Sequence, residues 1–140
     1  MDSSDFRNRC IRVWRERFSP WCLLSRRILV VDDNPDSADA LGDLLESMGQ
    51  QVSVVYSGES GVEIAREQRP QVAFIDLMMP GINGSETANR LRQEFTSAEL
   101  MLVALSGYSR SRSAAQADSF DHYLIKPVGR EEIAKLLNGL

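Results

Sequence analysis

Four short apolar runs in this chain of 140 residues end in groups that can do chemistry. Ile28 to Val31 is followed by Asp32 and Asp33, Val72 to Ile75 by Asp76, Leu100 to Leu105 by Ser106, and Tyr123 to Ile125 by Lys126 and Pro127. Carboxylates brought together repel and raise one another's pKa unless a cation sits among them, and a hard divalent ion with oxygen ligands relieves that cost. Magnesium is the natural candidate. A lysine beside the cluster holds a phosphoryl oxygen as a point charge, the serine donates to another, and an aspartate serves as a nucleophile that becomes an acyl phosphate. Taken singly, Asp32 and Asp33 are also explained as acids near a helix N-terminus, and Asp76 as the start of a turn. Jointly with Ser106 and Lys126 they form a site suited to phosphate.

The elements that must position these groups are legible in the spacing. The four runs, with a fifth from Val52 to Tyr56, have strand length and are mostly aliphatic. Between them Ala38, Leu41, Leu44, Leu45 and Met48 recur at helical steps, as do Ala88, Leu91 and Phe95, and then Ile133, Leu136 and Leu137. Asn34 before Pro35 suits an N-cap and first turn, Gly49 suits a helix stop, and Pro70 and Pro80 belong to connections. Further helices are expected near Glu59–Gln68 and Arg110–Asp118. Strands alternating with helices predict an α/β class with a parallel sheet covered on both faces. Ligands of such folds bind at the carboxyl ends of the strands, near the point where the strand order reverses.

Composition narrows the function classes. With 43% hydrophobic residues, a net charge of −4 and two cysteines, the chain has core-forming residues for one domain and cannot be a disulfide scaffold. A reducing, cytoplasmic location is the expectation, and no apolar run reaches the roughly 18–20 residues that cross a bilayer. The charge is uneven. Residues 1–27 hold Arg7, Arg9, Arg12, Arg15, Arg17, Arg26 and Arg27 against Asp2, Asp5 and Glu16, a net of +4, which leaves −8 for the remainder. Residues 1–26 read as a basic extension and 27–140 as the domain. Phe6, Cys10, Trp14 and Phe18 repeat every four residues among the arginines, which suits either a short amphipathic helix, with membrane or partner contact by residues 1–24, or a disordered extension. Cys10 and Cys22 have neither zinc-site nor redox-pair spacing. His122 has no second histidine to share a metal and reads as a solvated strand-edge residue rather than a phosphodonor.

Four motifs in order, Leu29-Val30-Val31-Asp32-Asp33-Asn34, Asp76-Leu77-Met78-Met79-Pro80-Gly81, Ala104-Leu105-Ser106-Gly107-Tyr108 and Tyr123-Leu124-Ile125-Lys126-Pro127, are each moderately specific. Together, from about Arg27 to the end, they resemble the receiver domain of bacterial two-component response regulators. The resemblance implies a flavodoxin-like (βα)5 three-layer sandwich with strand order 2-1-3-4-5. It implies that Asp76 is the phosphoacceptor, that Asp32, Asp33, Asp76 and the backbone carbonyl of Met78 hold Mg2+, and that Lys126 contacts the phosphoryl group. It also implies that Ser106 moves toward that group while Tyr123 is the switch aromatic, and that the Lys126–Pro127 bond is cis. Met78 and Tyr108 fall at the variable positions two residues beyond Asp76 and Ser106. Neither side chain carries a carboxylate or amide to orient an attacking water, so slow loss of the phosphoryl group is expected.

The implied function is that of a receiver in two-component signalling. A histidine kinase or histidine phosphotransfer protein donates the group, and a changed face, formed by the fourth helix, fifth strand and last helix with Arg110, Arg112 and Arg130, controls an unknown downstream protein. The chain takes part chemically in its own phosphorylation and dephosphorylation without being an enzyme. Alternatives are the receiver portion of a hybrid histidine kinase, a phosphorylation-independent docking module, and an aspartyl-nucleophile phosphohydrolase. Hydrolases of the haloacid-dehalogenase kind need a second aspartate two residues after the first, where this chain has Met78. Neither GxxxxGK[ST] nor GxGxxG occurs, and the acidic body gives no reason to expect direct nucleic-acid binding.

Overall fold

Aliphatic strands alternate with capped amphipathic helices in the computed structural model, which describes residues 25–107 and 119–139. In chain order these are β1 (Arg27–Val31), α1 (Pro35–Ser47), β2 (Gln51–Val55), α2 (Gly58–Gln68), β3 (Val72–Asp76), α3 (Gly84–Arg92), β4 (Met101–Ser106), β5 (His122–Ile125) and α4 (Arg130–Asn138). Every strand pairing is parallel and the sheet order is β2-β1-β3-β4-β5, the order that the sequence resemblance implied. Each observed strand lies within a residue of the apolar run that predicted it. The expected helix near Arg110–Asp118, with Tyr108, Arg110 and Arg112, lies outside the described residues, as do residues 1–24. None of the described helices is long and apolar enough to cross a membrane.

Burial follows position in the sheet. β3 is buried at every residue and β1 at every residue after Arg27, whereas β2 is half-buried throughout and β5 has exposed ends. Central strands of a parallel sheet have helices on both faces, which is why Ile28 to Val31 of β1 and Val72 to Ile75 of β3 read as unbroken apolar runs. Alternate residues divide the core in two. On one face Leu29, Val31, Ala73, Ile75, Leu102 and Ala104 pack with Val62, Ala65, Ala88 and Leu91 of α2 and α3. On the other, Ile28, Val30, Val72, Phe74, Val103 and Leu105 pack with Ala38, Leu41 and Leu45 of α1 and Ile133 and Leu137 of α4.

Local signals set where the helices begin and end. Asn34 accepts from the Asp36 and Ser37 N–H groups with Pro35 in the first turn, Ser57 accepts from Ser60, and Asn83 from Glu86, each satisfying donors that a helix leaves unpaired. Gly49 adopts φ +88° just past α1, a conformation that costs glycine little.

Candidate functional site

The register of the sheet builds the site. β1 and β3 pair Val31 with Ile75, so the next residues along the two chains, Asp32 and Asp76, leave the sheet side by side. This is where the strand order reverses, with β2 on one side of β1 and β3 on the other. Asp33 follows at the same rim. Oxygens of Asp32, Asp33 and Asp76 lie within 4.8 Å of one another, Asp32 and Asp76 being buried and Asp33 half-buried.

Lys126 closes the cluster from the end of β5. Its Nζ donates to Asp32 Oδ2 at 2.7 Å and lies 3.3 Å from Asp76 Oδ2. Two backbone groups complete the acidic pair: the Asn34 N–H donates to Asp32 Oδ1 at 3.0 Å, and the Met78 N–H to Asp76 Oδ1 at 3.1 Å. The Lys126 N–H in turn donates to the Ser106 carbonyl at 2.7 Å, which ties the end of β4 to the lysine. The Lys126–Pro127 peptide bond is cis, as the resemblance implied.

The charges are set by burial working against neighbouring charges and hydrogen bonds. Burial penalises the ionised Asp32, but the hydrogen bonds from Lys126 and the Asn34 N–H outweigh it and hold this carboxyl below its ordinary range. Asp76 moves the other way. Burial pushes it up, and the negative charge of Asp32 adds to that beyond what the Met78 N–H and Lys126 return. Burial would lower the Lys126 ammonium, yet its hydrogen bond to Asp32 and the charge of Asp76 hold it above its usual value. Carboxylates in these circumstances fit a hard divalent cation, whose charge removes the repulsion.

The expected site residues therefore fall into two groups. Asp32, Asp33, Asp76 and Lys126 meet directly, and Ser106 is buried at the end of β4, the neighbouring strand to β3. Tyr123 stands apart, half-buried on β5 with its ring 5.8 Å from that of Phe120 and tilted by 57°. Met78 is exposed, and only its backbone N–H meets the cluster. Tyr108 lies outside the described residues. His122 is exposed on the edge strand β5, the reading its isolation suggested.

Sequence reasoning missed Gly84. A Cβ there would stand 2.4 Å from the Asp76 carbonyl oxygen and 2.7 Å from Leu77 Cα, so only a glycine lets the start of α3 abut the backbone that carries Asp76. The signal was present as a second glycine three residues after Gly81, just ahead of the helical repeat that begins at Ala88.

Comparison with known proteins places these features in a wider set. The sequence profile described as the response regulator receiver domain matches residues 28–138. Protein PilH of Pseudomonas aeruginosa is 32% identical over 116 residues, which span 81% of this chain and 96% of PilH. The sensor protein GacS of Pseudomonas syringae pv. syringae is 31% identical over 117 residues, 79% of this chain and 13% of that much longer protein. Among solved structures, a CheY-like response regulator receiver domain from Methylobacillus flagellatus superposes with a TM-score of 0.75 at 27% identity, covering 82% of this chain and 98% of that one. The receiver domain of a sensor histidine kinase from Pseudomonas aeruginosa superposes with a TM-score of 0.74 at 27% identity, covering 82% and 96%, and holds a magnesium ion in its active-site cleft.

Proposed function

Because this chain belongs to the response regulator receiver domain family, a family of signalling modules rather than classical enzymes, we propose that Asp76 accepts a phosphoryl group from a phosphohistidine of a kinase or phosphotransfer protein. Residues 27–140 constitute the receiver in this reading, working in the cytoplasm. The observation that carries it is the convergence of Asp32, Asp33 and Asp76 with Lys126 at the point where the strand order reverses.

Each residue has a task. An Asp76 carboxylate oxygen attacks phosphorus in line, the new P–O bond forms as the P–N bond to the donor imidazole breaks, and the imidazole leaves with the electron pair. Asp32, Asp33, Asp76 and the Met78 backbone carbonyl would hold magnesium, which when bound would supply positive charge to the transferring oxygens. Lys126, already within reach of both Asp32 and Asp76, turns to a phosphoryl oxygen, and the Ser106 hydroxyl donates to another. That new partner exists only in the phosphorylated state, so it shifts an equilibrium between two arrangements of the Ser106 and Tyr123 surface. The resulting change of the β5–α4 face, where Arg130 stands exposed, is read by a downstream protein. The similarity to GacS and to a sensor-kinase receiver also favours a second setting, in which this domain is one part of a hybrid kinase.

Intact mass after incubation with acetyl phosphate, with and without magnesium, tests the chemistry on the parent and on Asp76→Asn. One added phosphoryl group that needs both magnesium and Asp76 is the expected result. A folded protein that gains none under any condition would instead be a phosphorylation-independent docking module.

A further inference from the structure

Met78 is 73% accessible, the most exposed of the large apolar side chains among the described residues, while its neighbour Met79 is 9% accessible and Met48 is 4%. Met101, at the start of β4, is half-buried. Core packing therefore does not account for Met78, which belongs to neither apolar cluster. Its backbone is nevertheless fixed to the site, because its N–H donates to Asp76 Oδ1 at 3.1 Å. A flexible, polarisable thioether is thus held in water at the rim of the acidic cluster.

A thioether sulfur reacts with peroxides without first losing a proton, so access decides which methionine is oxidised, and the product is a polar sulfoxide that reductases can reverse. We propose that Met78 is a peroxide-sensitive modification site whose sulfoxide shortens the lifetime of the phosphoryl group on Asp76. This rests on the reading of Asp76 as the phosphoacceptor. In the oxidation one peroxide oxygen passes to sulfur as the O–O bond breaks, the remainder leaves as water, and sulfur loses the two electrons that the peroxide gains.

The consequence follows from hydrogen bonding. A thioether is a weak acceptor and gives an approaching water little to orient it. A sulfoxide oxygen is a strong acceptor, and it takes a hydrogen bond from the water that attacks phosphorus, as a side-chain amide would. The bond from water oxygen to phosphorus forms while the bond from phosphorus to the Asp76 carboxylate oxygen breaks. Inorganic phosphate and a free carboxylate result, with the proton passing to solvent.

The test uses the full chain. Hydrogen peroxide is titrated in, peptide mapping assigns the oxidised methionines, and the protein is then charged with acetyl phosphate so that loss of the group can be followed by intact mass. Met78 is expected to oxidise well ahead of Met79 and Met48, and the lifetime to fall about tenfold, equivalent to ~1.4 kcal/mol in the transition state. In Met78→Leu, compared with its own untreated sample, peroxide leaves the lifetime unchanged although Cys10, Cys22 and the other methionines remain. Untreated Met78→Gln, with an amide in place of the sulfoxide, loses the group faster than Met78→Leu. Complete oxidation of Met78 with no change in lifetime overturns the proposal, as does an equal change in Met78→Leu or oxidation of Met79 at the same rate. A parent that takes up no phosphoryl group before oxidation overturns the reading of Asp76 and the lifetime effect with it, while the peptide map still decides whether Met78 is the oxidised residue.

Discussion

The two ends of the sheet are built from similar polar groups but treat them in opposite ways. At the amino end every charged or amide side chain singled out here has partners of complementary kind. Gln50 Oε1 accepts the Arg26 N–H at 2.8 Å, Gln71 Oε1 accepts the Arg27 N–H at 3.1 Å, and the Arg27 guanidinium donates to the carbonyls of Gln68 and Arg69. Arg92 goes further: it donates to the carbonyls of Ser119 at 3.0 Å and Leu100 at 2.7 Å and pairs with Asp121, whose carboxylate accepts the Leu102 N–H at 2.9 Å. At the carboxyl end three carboxylates crowd together, and one ammonium pairs with two of them, Asp32 and Asp76. Complementary groups stabilise the fold, whereas like charges held together cost stability until a ligand relieves them. That contrast separates polar groups that support the fold from polar groups held at its expense, on physical grounds and without reference to any relative.

The largest expected effect would break the contrast from the structural side. Arg92→Ala removes a guanidinium that is only 17% exposed and takes a donor from Asp121 and from the carbonyls of Ser119, Phe95 and Leu100. Loss of these hydrogen bonds is expected to cost about 2 kcal/mol, read as a lower denaturation midpoint, while magnesium-dependent phosphorylation of the folded fraction is retained. Asp76→Asn should do the reverse. Removing one of three crowded carboxylates, with the amide oxygen still able to accept the Met78 N–H, is expected to raise stability of the metal-free protein by about 1 kcal/mol. A loss of stability there, or loss of phosphorylation in Arg92→Ala, would erase the distinction between the two ends.

The carboxyl end was legible in the sequence and the amino end was not, for a physical reason. A site of like charges must put its residues directly after the strands that carry them, so Asp32, Asp33, Asp76, Ser106 and Lys126 are each one or two positions past an aliphatic run. Complementary partners have no such constraint. Arg92 reaches Ser119 across 27 positions, and Gln71 meets Arg27 across 44; neither residue type nor spacing marks them in advance. The elements themselves were legible because period decides them: β1 and β3 are buried on both faces and read as continuous apolar runs, and Asn34-Pro35 announces α1 in the order a helix start requires. Gly84 lies between these cases. Its need is a close approach to the Asp76 backbone, which is a fact of three dimensions, although a glycine opening a helix was a reason to look for one.

The smallest effect sharpens the comparison with a single kind of group. Glu99, in the turn before β4, accepts the Thr96 N–H at 3.0 Å, and its own N–H donates to Thr96 Oγ1 at 3.3 Å. The bond from the Thr96 N–H, the Thr96 hydroxyl and the charge of Arg69 hold its carboxyl below the usual value, whereas Asp76 at the other end is held above it. For a folded-state pKa that is depressed, the stabilisation is present above the unfolded value and is lost as pH falls through the folded one. Glu99→Gln keeps an acceptor and removes the titration, so the stability gap between parent and variant should be widest near neutral pH and close as the solution becomes acidic. Because Glu99 is exposed, the gap should be small and should shrink with added salt. Urea midpoints measured across that pH range decide the matter: a gap that stays constant as the carboxyl titrates would mean that Glu99 contributes through its shape alone, and that a favourable partner at the amino end leaves no mark on its proton.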